Sequence, residues 1–586
     1  MKNEKENNAE LKRHSLAHIM AAAIKEEYTE AKLAIGPAIE NGFYYDIDFG
    51  DTKISDSDLP KIEKKMIALI NQGLSFAREE KNIDQALREI DQAAEPYKYE
   101  LVSDLKEKGE NSVSFYTVGS FTDLCRGPHV ENTKEIAAKS FRLQKLAGAY
   151  WRGSEKNKML TRIYGLAFET KEELSAYDAM MLEAEKRDHR KLGKELDIFM
   201  THEYAPGMPF FLPKGMIILQ ELIKFVRAES YGPGYKEVRT PHLFNDELWK
   251  ISGHWGHYQE DMFCLHHAED DIDMGIKPMN CPAHMLIFKR DIRSYKELPL
   301  RIAETSTLYR NEKSGTLHGL TRVRSLSQDD SHIFLRPEQI IEEISDLLKK
   351  IKHIYQVFGL EIDEIHLSTR PEEFLGERAV WDEAEESLKK ALGDAGLNYQ
   401  INEGDGAFYG PKIDVKVKDA IGRQWQLATI QLDYQMPIRF DLNYIDNNGQ
   451  EKRPVVLHRA LLGSMERFLG IIIEHFSGAM PLWLAPVQVK LLPVSEKHLE
   501  YCKKLADKLI GADLRVEIDE SGNTIGNKIR TCAAEKIPYQ LVIGDQEAES
   551  ENLSVRAYGN RENKSFSQTE FIKNCQEKIS TRSLEL

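Results

Sequence analysis

Cys281, His332 and His458 are the side chains of this sequence best suited to chemistry, because each stands among other reactive residues. Cys281 lies in Lys277-Pro278-Met279-Asn280-Cys281-Pro282, His332 follows Gln328-Asp329-Asp330-Ser331, and His458 stands between Val455-Val456-Leu457 and Arg459. A thiolate and two imidazoles suit zinc, and three protein ligands leave a fourth position open for a small molecule. The gaps are far longer than those of a zinc finger, so spacing alone also allows a buried free cysteine and two unrelated histidines. Between the first two candidates stand Arg310 and Glu312, followed by Lys313-Ser314-Gly315. Two residues apart on a strand, they would share a face and could hold a phosphate and an adenine amino group. After His458, Gly463-Ser464-Met465-Glu466-Arg467 opens a mostly apolar run from Leu469 to Phe476, placing Arg467 at a helix start. Guanidinium forks suit phosphate oxygens because they donate in parallel, although a structural salt bridge is the plainer role for any one arginine.

A second reactive group lies near the N-terminus. His14-Ser15-Leu16-Ala17-His18 falls in an Ala-rich helical stretch, so both imidazoles lie on one face at i and i+4. Asp123-Leu124-Cys125-Arg126-Gly127-Pro128-His129 cannot continue as a helix and reads as a tight loop. The four side chains His14, His18, Cys125 and His129 could serve hydrolysis or bind a metal. No glutamate follows the first histidine as in HExxH, which argues against a zinc hydrolase of that type.

These residues need three supporting bodies. A run from Lys171 to Leu196, dense in Glu, Lys and Ala with Leu174, Met181, Leu182 and Leu192, predicts one long exposed connecting helix. Before it, residues 1–170 read as an α+β domain. Beyond it, 197–486 hold strands separated by turns, as in an antiparallel sheet flanked by helices. From 487 to 586 strand and helix alternate, as in an α/β domain.

Composition is consistent with this division. The 586 residues are 41% apolar and 30% charged, as in globular proteins of several domains. No apolar run is long enough to span a bilayer, the polar segment Met1 to Glu10 lacks a signal-peptide core, and six irregularly placed cysteines favour a reducing cytoplasm. The net charge of −16 excludes indiscriminate nucleic-acid binding but permits a local basic surface, for which Lys528 with Arg530, and Arg290 with Arg293 and Lys296, are candidates.

The combination resembles the class II aminoacyl-tRNA synthetases, and the Cys/His/His set with its flanking sequences is similar to the threonyl-tRNA synthetase family. Gly215 to Ile218, through Tyr235-Lys236-Glu237-Val238-Arg239-Thr240-Pro241, matches the class's first motif; Arg310 and Glu312 fall on the second and Arg467 on the third. No Gly-rich phosphate loop is evident, as expected for a class that uses arginines and metal on ATP. The resemblance implies a bacterial-type member without the small N-terminal β-rich domain. It implies an editing domain at 1–170, a helical connector at 171–196, a class II catalytic domain at 197–486 and an anticodon-binding domain at 487–586.

It also implies roles. Arg310 would meet the α-phosphate of ATP, Glu312 the adenine edge and Arg467 the γ-phosphate, with Mg2+ on the phosphates. One Zn2+ per chain would sit on Cys281, His332 and His458. Asp330, Gln328, Tyr409, Lys412, Gln431 and Ser464 would line the L-threonine pocket, with Met279 packed beside it. His14, His18, Lys98, Asp123, Cys125 and His129 would surround the ester of a mischarged tRNA. Arg530, Glu547 and Arg556 would read the anticodon of tRNA(Thr), while the family's Asn falls at Gly522, with Asn523 beside it. The partners implied are tRNA(Thr), ATP and a second copy of the chain, joined as a homodimer through the catalytic domain. A non-catalytic paralogue serving as a tRNA-binding regulator is the alternative, but it would normally have lost a motif arginine or a zinc ligand, and none is lost here.

Overall fold

Alternation along six adjoining strands organises the larger part of the molecule, a computed structural model that describes residues 2–267, 272–550 and 552–586. The chain forms two compact units, Met1–Leu182 and Glu183–Leu586. In the second, an eight-stranded sheet runs in the order Tyr235–Glu237, Leu300–Glu304, Asp330–Leu335, Val455–Ala460, Gln424–Asp433, Lys412–Lys418, Glu361–Ser368 and Gln400–Asn402. Only the two outermost pairs are parallel; every inner pair is antiparallel.

Successive side chains point to opposite faces. Ala303, Ile333, Leu335, Val455, Leu457, Ile430, Leu432, Ile413 and Leu367 therefore share one face, where all are buried. Helices Pro213–Phe225, Ile340–Val357, Arg378–Asp394 and Met465–His475 cover them. Each fully buried Leu or Ile there contributes roughly 1.5–3 kcal/mol.

The other face changes character along the strands. At one end Leu300, Phe334 and Val456 form an apolar floor with Met285 and Phe288 of helix Cys281–Lys289. One residue pair further along, the register places His332 opposite His458, His458 opposite Gln431, and Gln431 opposite Lys412. A polar row thus crosses four strands in the middle of an otherwise well-packed sheet.

The expected single connector is two helices, Lys171–Arg187 and His189–Glu195, broken at Asp188, whose carboxylate caps the second by accepting from the Arg190 N–H at 2.8 Å. The second helix buries one side, through His189, Leu192 and Gly193. His189 is fully buried, pairs with Glu474 at 2.6 Å and accepts from the Leu320 N–H at 2.9 Å, so both ring nitrogens are occupied. The segment belongs to the larger unit rather than to a solvated spacer.

Residues beyond Val487 form a five-stranded sheet ordered Val516–Ile518, Val489–Pro493, Tyr539–Ile543, Asn552–Ala557 and Lys564–Ser567, with helices Leu499–Ile510, Ile525–Ala534 and Gln568–Ser580 between or after its strands. The first three strands are parallel, and the last two turn antiparallel. In the first unit, helix Lys2–Glu27 buries Leu16, Ile19, Met20 and Ala23 with Phe43, Tyr45 and Ile47 of strand Gly42–Asp48, in a mixed α+β core. All six cysteines are free, and no helix among the described residues is long and apolar enough to cross a membrane.

Candidate functional site

Cys281 is the first residue of its helix, and its sulfur meets the imidazoles of His332 and His458, with the three ligand atoms within 4.8 Å of one another. All three side chains are buried. His458 Nε2 lies 2.8 Å from Asp433 Oδ2, whose other oxygen accepts from the Gln435 and Met436 N–H groups. That bond places the proton on Nε2 and leaves Nδ1 as a donor atom. Burial, with Asp330 and Asp433 nearby, pushes the Cys281 thiol well above its ordinary pKa. A divalent cation among these three ligands would reverse that bias and hold the thiolate. The donor set fits zinc.

The predicted pocket residues gather around this cluster. Asp330, buried, accepts from Asn280 Nδ2 at 3.0 Å, and burial raises its pKa. Tyr409 packs against His458 with ring centroids 5.2 Å apart. Gln431 donates to the Gly410 carbonyl at 3.2 Å, in a turn that needs glycine because a Cβ at position 410 would lie 2.0 Å from the Leu432 carbonyl oxygen. Burial works against the Lys412 ammonium, but Asp414 at 2.9 Å and Asp405 at 3.3 Å hold its pKa above the usual value. Met279 touches buried His254, sulfur to Nε2, at 3.3 Å.

The expected strand for Arg310 and Glu312 ends early, at Tyr309, so the pair lies in the turn beyond it. Arg310 is held there by its N–H to the Arg324 carbonyl at 2.9 Å, and Glu312 pairs with Arg322 at 2.9 Å. The cross-strand bonding ends after the Arg310–Arg324 bond because Asn311 donates to the Asp261 carbonyl and Glu312 folds back to donate to Arg310 O, while Tyr309 donates on its outer side to Lys277 O. Ser464 is the cap of helix Met465–His475, its hydroxyl oxygen accepting from the Arg467 N–H at 3.1 Å, and its backbone bridges to Gln328. Gly463 makes the turn at φ +76°. Arg467 is mostly buried with Nε unpaired, and burial together with Arg322 lowers its pKa. An anion would satisfy that guanidinium.

Sequence reasoning missed the polar residues behind these groups. Lys277 Nζ, fully buried, lies within 3.0 Å of Thr240, Asn280, Glu304 and Ser306. Asp329, beside Asp330, accepts from the Leu461, Leu462 and Gly463 N–H groups at 3.0–3.2 Å, fastening the second motif to the turn of the third.

In the first unit His14 and His18 stack edge to face at 5.2 Å, and Cys125 Sγ lies 3.3 Å from His14 Nε2 and 3.4 Å from His129 Nε2. His14 Nδ1 donates to the Pro128 carbonyl, so its Nε2 carries a lone pair. Burial lowers the His18 pKa to about 4 and raises the Cys125 thiol to about 11, leaving both neutral near pH 7. Burial also works to raise Asp123, yet Lys98 at 2.7 Å and His18 hold its carboxyl below the ordinary value. Tyr45, which the sequence did not flag, donates to the same carboxylate. Asp123 and Leu124 belong to strand Phe121–Leu124, and the expected loop begins at Cys125.

In the C-terminal region Arg530 is exposed on helix Ile525–Ala534, Glu547 accepts from the Gly544 N–H at 3.0 Å, and Arg556 on its strand donates to the Asn560 carbonyl at 3.1 Å. Lys528 corrects the basic-patch expectation. It is buried, and its ammonium is spent on the Pro493 and Asp519 carbonyls. Arg290 and Arg293 are both paired with Asp291.

Three family models match parts of the chain. Residues 113–164 match the threonyl and alanyl tRNA synthetase second additional domain, 263–476 the tRNA synthetase class II core domain (G, H, P, S and T), and 488–578 an anticodon binding domain. The chain is 49% identical over 580 residues to the threonine--tRNA ligase of Thermotoga neapolitana, covering 98% of this chain and 89% of the relative. It is 50% identical over 573 residues to that of Clostridium tetani, covering 98% and 88%. A crystal structure of the RNA binding domain of threonyl-tRNA synthetase from Cryptosporidium parvum aligns with a TM-score of 0.65 and 42% identity, over 67% of this chain and 98% of that one. Near-full-length identity of this size, on a class II antiparallel sheet with additional and anticodon-binding domains, makes the chain a member of the threonine--tRNA ligase family of class II aminoacyl-tRNA synthetases.

Proposed function

We propose that the chain activates threonine with ATP, transfers it to tRNA(Thr) and hydrolyses Ser-tRNA(Thr) made in error. The observation that carries the reading is the buried Cys281–His332–His458 cluster set among Asp330, Gln431 and Tyr409. Synthesis is assigned to 197–486, editing to 1–170 and anticodon reading to 487–586 through Arg530, Glu547 and Arg556, with 171–196 joining the first two.

A zinc ion held by Cys281, His332 and His458 would supply an electrophilic anchor for the amino nitrogen and β-hydroxyl of threonine, of which valine can offer only the first. Apolar packing alone separates such isosteres by only about a hundredfold. Asp330, whose carboxylate acts on Cys281, would accept a hydrogen bond from the ammonium or hydroxyl of threonine. Arg310 and Arg467 neutralise the phosphates of magnesium-bound ATP while Glu312 accepts from the adenine amino group. The threonine carboxylate then attacks the α-phosphorus and pyrophosphate leaves, a transfer governed by alignment and charge stabilisation. A homodimer would form through helix Pro213–Phe225 and the edge strand Tyr235–Glu237, where Met216 is exposed.

Serine also carries an amino group and a hydroxyl, so the synthetic site cannot exclude it. The lone pair on His14 Nε2, which faces Cys125 Sγ, would accept a proton from a water attacking the serine ester, beside the buried polar group of Lys98, Tyr45 and Asp123. Replacing His14 or Cys125 by Ala is expected to leave threonine activation and Thr-tRNA formation within a few-fold of wild type, because these residues lie in the other compact unit. Deacylation of preformed Ser-tRNA(Thr) should fall by about 10²–10⁴-fold for His14→Ala, the usual worth of a general base. Normal deacylation by both variants would remove editing from this site, and equal loss of both activities would indicate a folding defect.

A further inference from the structure

His284 takes no part in the roles assigned above, yet it is fully buried and touches the candidate metal cluster. It lies three residues after Cys281 on helix Cys281–Lys289, on the same side of the helix. Its Nδ1 lies 2.8 Å from His332 Nδ1, and its Nε2 lies 3.1 Å from Glu304 Oε2. Glu304 also accepts from the Thr240 N–H at 2.9 Å, the Thr240 hydroxyl at 2.9 Å and the Lys277 ammonium at 3.0 Å. An oxygen pair surrounded by donors is a carboxylate, and it can only accept.

Proton accounting follows from that constraint. Glu304 requires a proton on His284 Nε2. In a neutral imidazole the other nitrogen then carries the lone pair, so His284 Nδ1 accepts. Between the two Nδ1 atoms the hydrogen then comes from His332, which leaves the lone pair of His332 on Nε2, free for a cation shared with Cys281 and His458. We propose that His284, backed by Glu304, is a positioning residue that fixes His332 as an Nε2 metal ligand. Asp433 does the same for His458 directly, making it an Nδ1 ligand. Lys277 links this relay to the substrate side, because it also holds Asn280, which holds Asp330. The inference rests on the zinc reading of the cluster.

Outer partners of metal-bound histidines typically contribute 10- to 100-fold in metal affinity. The test uses the full-length chain and competition for zinc with a chromophoric chelator, together with the visible absorption of the cobalt-substituted protein. His284→Leu, which cannot accept, is expected to bind zinc about 10- to 100-fold more weakly and to alter the cobalt bands. His284→Asn keeps an acceptor near the Nδ1 position and is expected to stay within a few-fold of wild type. Circular dichroism and the thermal unfolding midpoint of each full-length variant serve as the folding control. Zinc affinity unchanged in His284→Leu, or equally weakened in both variants, would overturn the positioning role. Wild-type protein holding no stoichiometric zinc would overturn the zinc reading itself, and this inference with it.

Discussion

Cys281→Ala is expected to abolish stoichiometric zinc binding and to lower threonine-dependent adenylate formation by at least about a hundredfold, since one lost ligand forfeits several kcal/mol of substrate polarisation and 1.36 kcal/mol is a factor of ten. Cys281 is buried at the first turn of its helix, so the change removes one sulfur atom and leaves a small void, with a stability cost of about 1 kcal/mol. Zinc content by elemental analysis and pyrophosphate exchange on one preparation separate the two effects. A variant that keeps one zinc per chain, or that activates threonine normally without it, would remove Cys281 from the ligand set.

The second large effect is expected at Arg310. It sits in the turn after strand Thr307–Tyr309, with its backbone fixed to Arg324 and its side chain making, among the described residues, only a long hydrogen bond of 3.4 Å to the Pro278 carbonyl. A guanidinium so weakly engaged within the protein is free to meet charge that develops on a phosphate. Arg310→Ala should therefore reduce adenylate formation by about 10²–10³-fold, the usual worth of one preorganised donor to a transition-state charge. Its melting temperature should stay close to wild type, because no strong internal bond is lost. A large fall in melting temperature with activity preserved would make Arg310 a structural residue instead.

The reactive side chains were legible in the sequence because local context marks them: Asn280-Cys281-Pro282, Asp329-Asp330-Ser331-His332 and the Gly463-Ser464 turn all carry unusual residue types at short spacing. Their supporting partners were not legible. His284 meets His332 and Glu304 only through the packing of a helix on two strands, and the row from His332 through His458 and Gln431 to Lys412 exists only once cross-strand register is set. Register depends on long-range pairing, which leaves no trace in residue spacing.

The misreadings have equally local causes. Lys528 looked like a surface cation because it precedes Arg530 by two residues, yet on a helix that offset turns it about 200° away and into the core. The connector read as one exposed helix because its charge pattern continues past Asp188, while the buried His189–Glu474 pair that anchors its second half involves a residue far along the chain. Arg310 and Glu312 read as a strand pair, but the Asn311 N–H goes to the distant Asp261 carbonyl and Glu312 donates back to Arg310 O, which ends the cross-strand bonding at Arg310.

The most direct test of the account is pyrophosphate exchange measured with each of the standard amino acids in turn, on full-length protein of known zinc content. The account predicts about one zinc per chain, exchange driven best by threonine, measurable exchange with serine, and exchange with valine weaker than the roughly hundredfold discrimination that packing alone supplies. Exchange that is as fast with valine as with threonine, or that proceeds on protein free of zinc, would contradict it.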